Sequence, residues 1–339
     1  MLSADPQRTT ALHVIDAWPR APAAVWRALS RAQLLISGGG SLVQDVTSAR
    51  SALYYLGVIT AASARRVPVA VIGQGIGPIR RPWLRRVTRS TLDRAGVISV
   101  RDADSAQMLR AMGVSRPLHL GADLAALMHP APPERTRALL AGAGLDAVRP
   151  RLGVAVRVWP GPLAGPTLGA EIRRFAAAHG AAVAVFPFDS ARDRTMSEAV
   201  AASAGGRLVE VASPQDLLGL IGAMDLVVAV RLHALVFAAL QAVPAVGVAY
   251  DPKVAAFAAE HGLPSLNANA QAAALGETLA ATWGRRREIT AQLQTARHSL
   301  RRAASEAIGV ALQLVSNRTP ASRQEFSGSG RNRPGTGIS

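Results

Sequence analysis

The sequence contains no cysteine, and this absence alone excludes several classes of protein. Disulfide scaffolds, thiolate metal sites, iron–sulfur proteins and cysteine nucleophiles all need that residue. Aromatic residues make up only 4% of the 339 residues, and no nucleic-acid-binding motif accompanies the basic composition. We therefore expect no nucleic-acid partner. No cluster of metal-ligating residues stands out in the sequence, so we expect neither a metal nor a cofactor.

Acidic residues are few compared with basic ones, 22 against 38, which gives a formal net charge of +16. Such a charge favours an anionic partner, and a phosphorylated substrate or an anionic membrane face fits better than nucleic acid. All but one of the basic residues are arginine, and the exception is Lys253. One lysine kept in an arginine-rich chain indicates a need for a compact ammonium group; survival of a single lysine by chance is the alternative.

Long hydrophobic runs are also missing. The polar N-terminus lacks the apolar segment of a signal peptide. The best candidate for a membrane span, residues 234–250, is too short and carries Pro244 near its middle, which is typical of a buried helix followed by a buried strand. We therefore expect a cytoplasmic protein, and its charge is compatible with peripheral contact at the inner face of the membrane.

What the sequence does contain is a series of short, continuous apolar runs, separated by helical stretches rich in alanine and arginine. Continuous apolar strands that alternate with helices predict a parallel sheet covered on both faces, and hence an α/β fold. The predicted strands are 34–37, 68–73, 97–100, 153–158, 182–188, 207–211, 225–230 and 245–250.

These elements fall into two blocks separated by a proline-rich break. We predict an N-terminal Rossmann-like domain over 1–130, a linker over 131–150 and a C-terminal Rossmann-like domain over 151–317, with a cleft between the domains. The second domain ends in a basic helix pattern over 285–315, whose arginines either form a solvated face or contact a membrane surface. Residues 318–339, rich in glycine, serine, proline and arginine, are predicted to be a disordered tail.

The segment LLISGGGSLVQD contains the first of these predicted strands and, directly after it, a candidate anion- or sugar-binding loop. Gly38, Gly39 and Gly40 leave backbone amides open to a ligand at the carboxyl edge of a parallel sheet. Gln44 and Asp45 come next, at the position where a cleft would lie. A tight turn between strand and helix, without any ligand, explains the glycines equally well.

Two further strand ends carry polar side chains. Gln74 lies in VIGQGIGPIRRP, where turn formation also accounts for the glycines. Arg101 ends the strand in ISVR, and its planar guanidinium suits a phosphate or a carboxylate. The next segment, DADSAQMLRAMG, is predicted to be a helix that Asp102 or Asp104 caps and that Gly113 ends.

The most informative segment is VVAVRLHALVFAALQAVPAVGVAYDPKV, in which two adjacent strands end in polar residues. Arg231 and His233 open a helix after one strand, and Asp251 and Lys253 come after the next. Open α/β sheets bind ligands at such carboxyl ends, so these four are candidate site residues. A histidine in an apolar run is ordinarily a core residue, but the neighbouring Arg231 weakens that alternative.

Together these segments resemble the polysaccharide pyruvyl transferase family, in the branch that adds ketal-linked pyruvate to bacterial cell-wall polysaccharide. The resemblance covers most of residues 30–260, and the pair RLHA and YDPK is its most specific part. It implies a GT-B-like pair of Rossmann-like domains and phosphoenolpyruvate as donor. It also implies an acceptor that contains N-acetylmannosamine, as wall polysaccharide or lipid-linked saccharide, and a pyruvylated product that S-layer-homology proteins bind.

The residues suit that chemistry. Ketal formation at C2 of phosphoenolpyruvate requires a proton on the methylene carbon, a stabilised oxocarbenium-like centre and loss of phosphate as two sugar hydroxyls add. Arg231, Lys253 and Arg101 are candidates for binding phosphate and carboxylate, and His233 either moves the proton or contacts the phosphate. A nucleotide-sugar glycosyltransferase and an inactive relative that only binds wall precursors are the alternatives.

The family's first strand and glycine-rich, acidic loop have no counterpart in MLSADPQRTTALHVIDAWPR, which resembles the end of the family's second strand and the segment after that strand. In a Rossmann-like sheet the first strand is central, so its omission would leave two strands with unpaired backbone groups. We therefore expect the natural protein to start about 30 residues upstream, the length of a strand–helix opening.

Overall fold

The computed structural model describes residues 1–46, 48–159 and 161–317, and the predicted tail over 318–339 lies outside the described residues. The chain begins with a small unit in which two short strands pair in parallel. The elements of this unit are β1 (Leu2–Ser3), α1 (Pro6–His13), β2 (Trp18–Pro19) and α2 (Pro22–Leu29).

The first large sheet has four parallel strands in the sequential order β3-β4-β5-β6. Its elements are β3 (Leu35–Gly38), α3 (Ala49–Ala64), β4 (Val69–Gln74), α4 (Pro82–Leu92), β5 (Val97–Val100), α5 (Ala103–Ala111) and β6 (Leu118–Leu120). Every residue of β4 and β5 is buried, as the central strands of a sheet covered on both faces require. A 3-10 turn (Leu124–Leu127) and α6 (Pro133–Gly142) lead to the second sheet.

The second sheet has six parallel strands in the order β12-β11-β10-β7-β8-β9. Its elements are β7 (Arg151–Ala155), α7 (Pro166–His179), β8 (Ala182–Val185), α8 (Ser190–Ala204), β9 (Arg207–Leu208), α9 (Pro214–Gly222), β10 (Leu226–Ala229), α10 (Leu232–Gln241), β11 (Ala245–Ala249), α11 (Pro252–Glu260), β12 (Ser265–Asn267), α12 (Ala272–Gly284) and α13 (Arg286–Ser316). This is the doubly wound Rossmann order, in which the chain reverses direction between β7 and β10.

Alternating side chains of the central strands build one hydrophobic cluster on each face of the second sheet. Val154 and Val228 pack with residues of α7, α8 and α12 on one face. Val227 and Ala229 pack with residues of α9, α10 and α11 on the other. Because α7 comes after β7 and α10 after β10, the connections that leave these neighbouring strands diverge to opposite faces and open a crevice at their carboxyl ends.

Helix α13 joins the two domains. Ile289 and Leu293 pack in the core of the second domain, whereas Ala307 and Ala311 pack with residues of β4 and β5 in the first. The helix that begins near the predicted position therefore contacts both domains. Alanines spaced four residues apart present a small face, which lets the helix backbone approach the first sheet closely. None of the described helices is both long and apolar enough to cross a membrane.

The predicted strands are all present, but several of their ends differ from the prediction. Strand β7 starts and ends earlier than the predicted 153–158, and β8 and β9 are shorter than their apolar runs. Four short strands without such a run, β1, β2, β6 and β12, were not predicted. Short strands at sheet edges depend on pairing with a neighbour more than on their own composition, so sequence pattern identifies them poorly.

Candidate active site

A cavity of about 850 Å³ lies between the two domains. Helix α5 of the first domain contributes one wall and helix α11 of the second contributes another. Among the polar residues that line it, Arg101 and Asp123 come from the first domain, and Asp251 and Lys253 come from the second. The cavity therefore lies at the carboxyl ends of strands from both sheets, where open α/β sheets bind their ligands.

Arg101 comes directly after β5, and its side chain is only 6% exposed. Its Nε donates to Asp102 Oδ2 at 3.1 Å, its Nη1 donates to Asp123 Oδ2 at 3.0 Å, and its Nη2 donates to Ser41 Oγ at 3.2 Å. Asp102 also caps α5 by accepting from the Ser105 amide, and it is therefore the cap of the two predicted candidates, Asp102 and Asp104. Two carboxylates and one hydroxyl thus hold the guanidinium in a single orientation at the cavity.

Lys253 is held at the start of α11, where Asp251 Oδ1 accepts from its backbone amide at 3.0 Å. Its Nζ donates to Ser41 Oγ at 3.0 Å. Burial lowers the pKa of the Lys253 ammonium; the Asp251 charge opposes this shift and the Arg101 charge adds to it. A single hydroxyl oxygen therefore lies between two cations that come from different domains.

The glycine-rich segments explain how Ser41 reaches this position. Gly39 and Gly40 have φ values of 77° and 63°, in the left-handed region that favours glycine, and they turn the chain after β3. A Cβ atom on Gly75 would lie 2.8 Å from Ser41 Oγ and 2.9 Å from the Arg101 guanidinium. Glycine at position 75 is what allows Ser41 and Arg101 to meet.

His233 lies in the first turn of α10, and Arg231 occupies the N-cap position of that helix. The Nε2 atom of His233 is 3.5 Å from Asp123 Oδ2, while Asp123 Oδ1 accepts from the Ala125 amide at 3.0 Å. Burial alone would raise the pKa of Asp123, but its contacts with His233, the Arg101 charge and the Ala125 amide outweigh burial and lower the pKa to about 2. Asp123 is thus an anion that links Arg101 in the first domain to His233 in the second.

The structure brings Arg101, His233, Asp251 and Lys253 to this cluster and places the other predicted residues elsewhere. Arg231 forms an ion pair with Asp193 on α8 and does not line the cavity.

Most of the remaining predicted residues stabilise the loops around the site. Asp45 accepts from the amides of Arg80 and Arg81, each at 2.9 Å, and so braces one loop against another. These backbone hydrogen bonds and the charges of Arg80 and Arg81 outweigh the opposing effect of burial and lower the pKa of Asp45. Gln44 accepts from the Val46 amide, and Gln74 is fully buried in β4.

Gly38 allows β3 to pack closely against the neighbouring strand β4. A Cβ atom on this residue would lie 2.9 Å from the Ile72 carbonyl of the neighbouring strand. Of the three consecutive glycines, Gly39 and Gly40 therefore form the turn, and Gly38 allows two strands to approach each other.

Two site residues were not predicted from the sequence. Ser41 comes directly after the three glycines, and that adjacency was the available signal. Asp123 lies just beyond β6, a short strand without an apolar run, so no strand end marked it. Within the described residues, no group of three or more His, Asp or Glu side chains is placed to hold a metal ion.

The sequence matches the model of the family described as "Polysaccharide pyruvyl transferase" over residues 4–252. The chain belongs to this family. The match includes Ser41, Arg101, Asp123 and His233, and it ends one residue before Lys253. A search of curated proteins finds no match.

The fold of this family member is similar to that of several solved structures. UDP-GlcNAc 2-epimerase from Neisseria meningitidis, bound to UDP-GlcNAc, superposes with a TM-score of 0.63 at 10% identity, covering 91% of this chain and 88% of the epimerase. A glycosyltransferase from Rickettsia africae gives 0.61 at 10% identity, with 93% and 90% covered. Anabaena HepE in complex with UDP-glucose gives 0.55 at 16% identity, with 92% and 88% covered. These similarities establish a GT-B-like fold of two Rossmann-like domains.

Proposed function

We propose that this polysaccharide pyruvyl transferase moves the pyruvyl group of phosphoenolpyruvate onto a sugar as a ketal and releases phosphate. One observation carries the proposal: Arg101 and Lys253, on opposite sides of the cleft, both donate to the same oxygen of Ser41. An oxyanion of the donor at this point would accept two charge-assisted hydrogen bonds, which are about twice as strong as neutral ones.

The cluster also supplies a group for proton transfer. His233 is 45% exposed, and its Nε2 atom contacts Asp123, which lines the cavity. In the proposed step, the π electrons of the C2–C3 double bond of phosphoenolpyruvate take an imidazolium proton and form a new C–H bond at C3. Loss of these electrons makes C2 an oxocarbenium-like centre. One sugar hydroxyl adds to C2 and returns its proton to His233.

The second half of the reaction removes phosphate. The bond between C2 and the phosphate oxygen breaks with its electrons on that oxygen. A second sugar hydroxyl then adds to C2 and gives its proton to the released phosphate. Arg101 and Lys253 stabilise the negative charge on the departing group. Atoms balance as one diol and one phosphoenolpyruvate giving one ketal and one phosphate, so the donor is a substrate and the reaction needs no cofactor.

The proposed acceptor is a wall polysaccharide or lipid-linked saccharide that contains N-acetylmannosamine. A cavity of about 850 Å³ falls within the usual range for small-molecule sites and leaves room for a sugar beside the donor. The net charge of +16 supports peripheral contact with the anionic inner face of the membrane, where a lipid-linked acceptor would lie. We further propose that the ketal serves as an anchor for S-layer-homology proteins, which rests on the family resemblance.

The test is to incubate the protein with phosphoenolpyruvate and a soluble or lipid-linked N-acetylmannosaminyl acceptor. The expected result is phosphate release that depends on the acceptor, together with an acceptor mass increased by one pyruvyl ketal. A parallel reaction with UDP-GlcNAc in place of phosphoenolpyruvate tests for glycosyl transfer. Sugar transfer from UDP-GlcNAc, or acceptor binding without turnover of phosphoenolpyruvate, would overturn the proposal.

A further inference from the structure

A second group of cations lies at the centre of the second sheet, outside the cluster around Lys253. Arg157 is two residues beyond β7, and Arg231 is two residues beyond β10. These strands are neighbours with Ala155 opposite Ala229, and the Val230 amide donates to the Ala155 carbonyl beyond the end of β10. The two arginines therefore follow adjacent strands at the same level of the sheet, in which neighbouring strands lie about 5 Å apart.

Only one of these two arginines has a carboxylate partner among the described residues. Arg231 pairs with Asp193, whose side chain is 1% exposed. Arg157 donates to the Tyr250 hydroxyl and stacks on the Tyr250 ring, with 4.6 Å between guanidinium carbon and ring centroid. The charge of Asp193 can offset only one of these two cations, so an anionic ligand would be stabilised near the other.

Buried hydrogen-bond donors in the same place also lack acceptors. The Nε atoms of Arg157 and Arg231 and the indole Nε1 of Trp159 are buried, and none has a hydrogen-bond partner among the described residues. Trp159 is 4% exposed and lies in the same loop as Arg157. Each buried N–H group without an acceptor costs free energy, so three of them on residues just beyond the ends of β7 and β10 indicate a ligand rich in acceptor oxygens.

The position of this group in the fold points to the same conclusion. The connections after β7 and β10 diverge here to opposite faces of the sheet, and such a switch point is where doubly wound sheets bind ligands. Tyr250, which contacts Arg157, lies only three residues before Lys253, a residue that lines the cavity. The geometry points to an oxyanion subsite formed by Arg157, Arg231 and the Tyr250 hydroxyl, which binds one anionic group of the donor while Arg101 and Lys253 bind the other.

This inference rests on the proposed function, because it takes phosphoenolpyruvate as the donor. That molecule carries a carboxylate and a phosphate on adjacent atoms, and either group fits an arginine fork. The carboxylate and the phosphate are both oxyanions, so the proposed subsite is defined as one that binds an oxyanion. Pyruvate, which has only the carboxylate, and inorganic phosphate are the probes that show which of the two groups the subsite binds.

The test measures the affinity of the full chain for phosphoenolpyruvate, pyruvate and inorganic phosphate by titration calorimetry. Arg157→Gln is expected to weaken binding of phosphoenolpyruvate by at least about tenfold, the usual effect of losing a charge-assisted hydrogen bond. Arg157→Lys should restore only part of the affinity, because an ammonium cannot form the two-pronged contact. Arg173→Gln, at an exposed position on α7, is the matched control and should bind as the wild type does.

The outcomes separate this inference from the proposed function. Failure of the wild type to bind phosphoenolpyruvate would overturn both. Binding by the wild type, with Arg157→Gln binding within about twofold, would overturn the subsite and leave the proposed function standing. If Arg157→Gln does not fold, Arg157→Lys decides the matter, since wild-type affinity in that variant contradicts a forked contact. Selective loss of pyruvate or of phosphate affinity identifies the group that Arg157 holds.

Discussion

The ammonium of Lys253 lies in a confined position that a larger guanidinium would not fit well. It is half-buried, touches Ser41, and faces the positive charge of Arg101. A compact ammonium fits between these groups, whereas a planar guanidinium needs more room and a different hydrogen-bond geometry. This contact gives a physical reason for a lysine in a chain whose other basic residues are all arginine.

Lys253→Arg is therefore expected to lose most of its turnover although the charge is kept. The measurement is kcat/KM for phosphoenolpyruvate in the acceptor-dependent phosphate assay, beside Lys253→Ala, which should be equally impaired. Arg287→Lys, an exchange at an exposed position of α13, is the control and should leave the rate unchanged. Wild-type activity in Lys253→Arg would show that the compact ammonium is not needed.

Asp123 stabilises the folded chain in a way that depends on pH. Its folded-state pKa is lowered from 3.8 to about 2, so its contribution is present above pH 3.8 and is lost as the pH falls through about 2. Asp123→Asn should therefore lower the free energy of unfolding at neutral pH by about 2 kcal/mol, and this deficit should shrink on acidification from pH 3.8 toward 2.

Denaturant unfolding of wild type and Asp123→Asn at neutral and acidic pH checks this prediction. Glu277→Gln, at an exposed site on α12, provides the control and should unfold like the wild type throughout. A deficit of constant size across the acidic range would mean that Asp123 acts through its shape and not through its charge.

Among the site residues, those that come after apolar strands could be predicted from the sequence, and those fixed by loop contacts could not. Arg101, His233 and Lys253 each lie beyond the end of such a strand, so the pattern located them. Arg231 has the same pattern, yet it pairs with the buried Asp193 and does not line the cavity. The sequence could not show this pairing, because 38 residues separate the two partners.

Helix α13 connects the domains through a face of small side chains. Ala311 is fully buried against the first sheet, while Gly309, two residues earlier, is exposed. A Cβ atom on Gly309 would meet no atom within 4 Å. The two positions therefore test opposite properties of one helix, tight packing and helix propensity.

Ala311→Leu should destabilise the protein by about 1–3 kcal/mol, because added methylene groups do not fit a packed interface. Gly309→Ala should stabilise it by about 0.5–1 kcal/mol, because alanine restricts the unfolded backbone and favours helix. Thermal or denaturant unfolding of both variants is the measurement. Tolerance of leucine at position 311 would contradict close contact between α13 and the first sheet.

The whole molecule carries a charge that favours anionic surfaces, and this leads to a prediction for membranes. With a net charge of +16, the protein should sediment with vesicles that contain phosphatidylglycerol and not with vesicles of phosphatidylcholine alone. Added salt should release it, because the interaction is screened over about 10 Å at 0.1 M ionic strength. Equal binding to both kinds of vesicle, or to neither, would contradict electrostatic contact.

The sequence alone determined the α/β class, the principal strands and the strand ends that carry Arg101, His233 and Lys253, because each is a local property of composition and spacing. Its resemblance to a family was confirmed over residues 4–252. Only the tertiary structure decided that Ser41 lies between Arg101 and Lys253, that Asp123 contacts His233, and that the strands before Arg157 and Arg231 are neighbours. Contacts between residues far apart in the chain depend on how strands are ordered and domains packed, and local sequence does not encode that order.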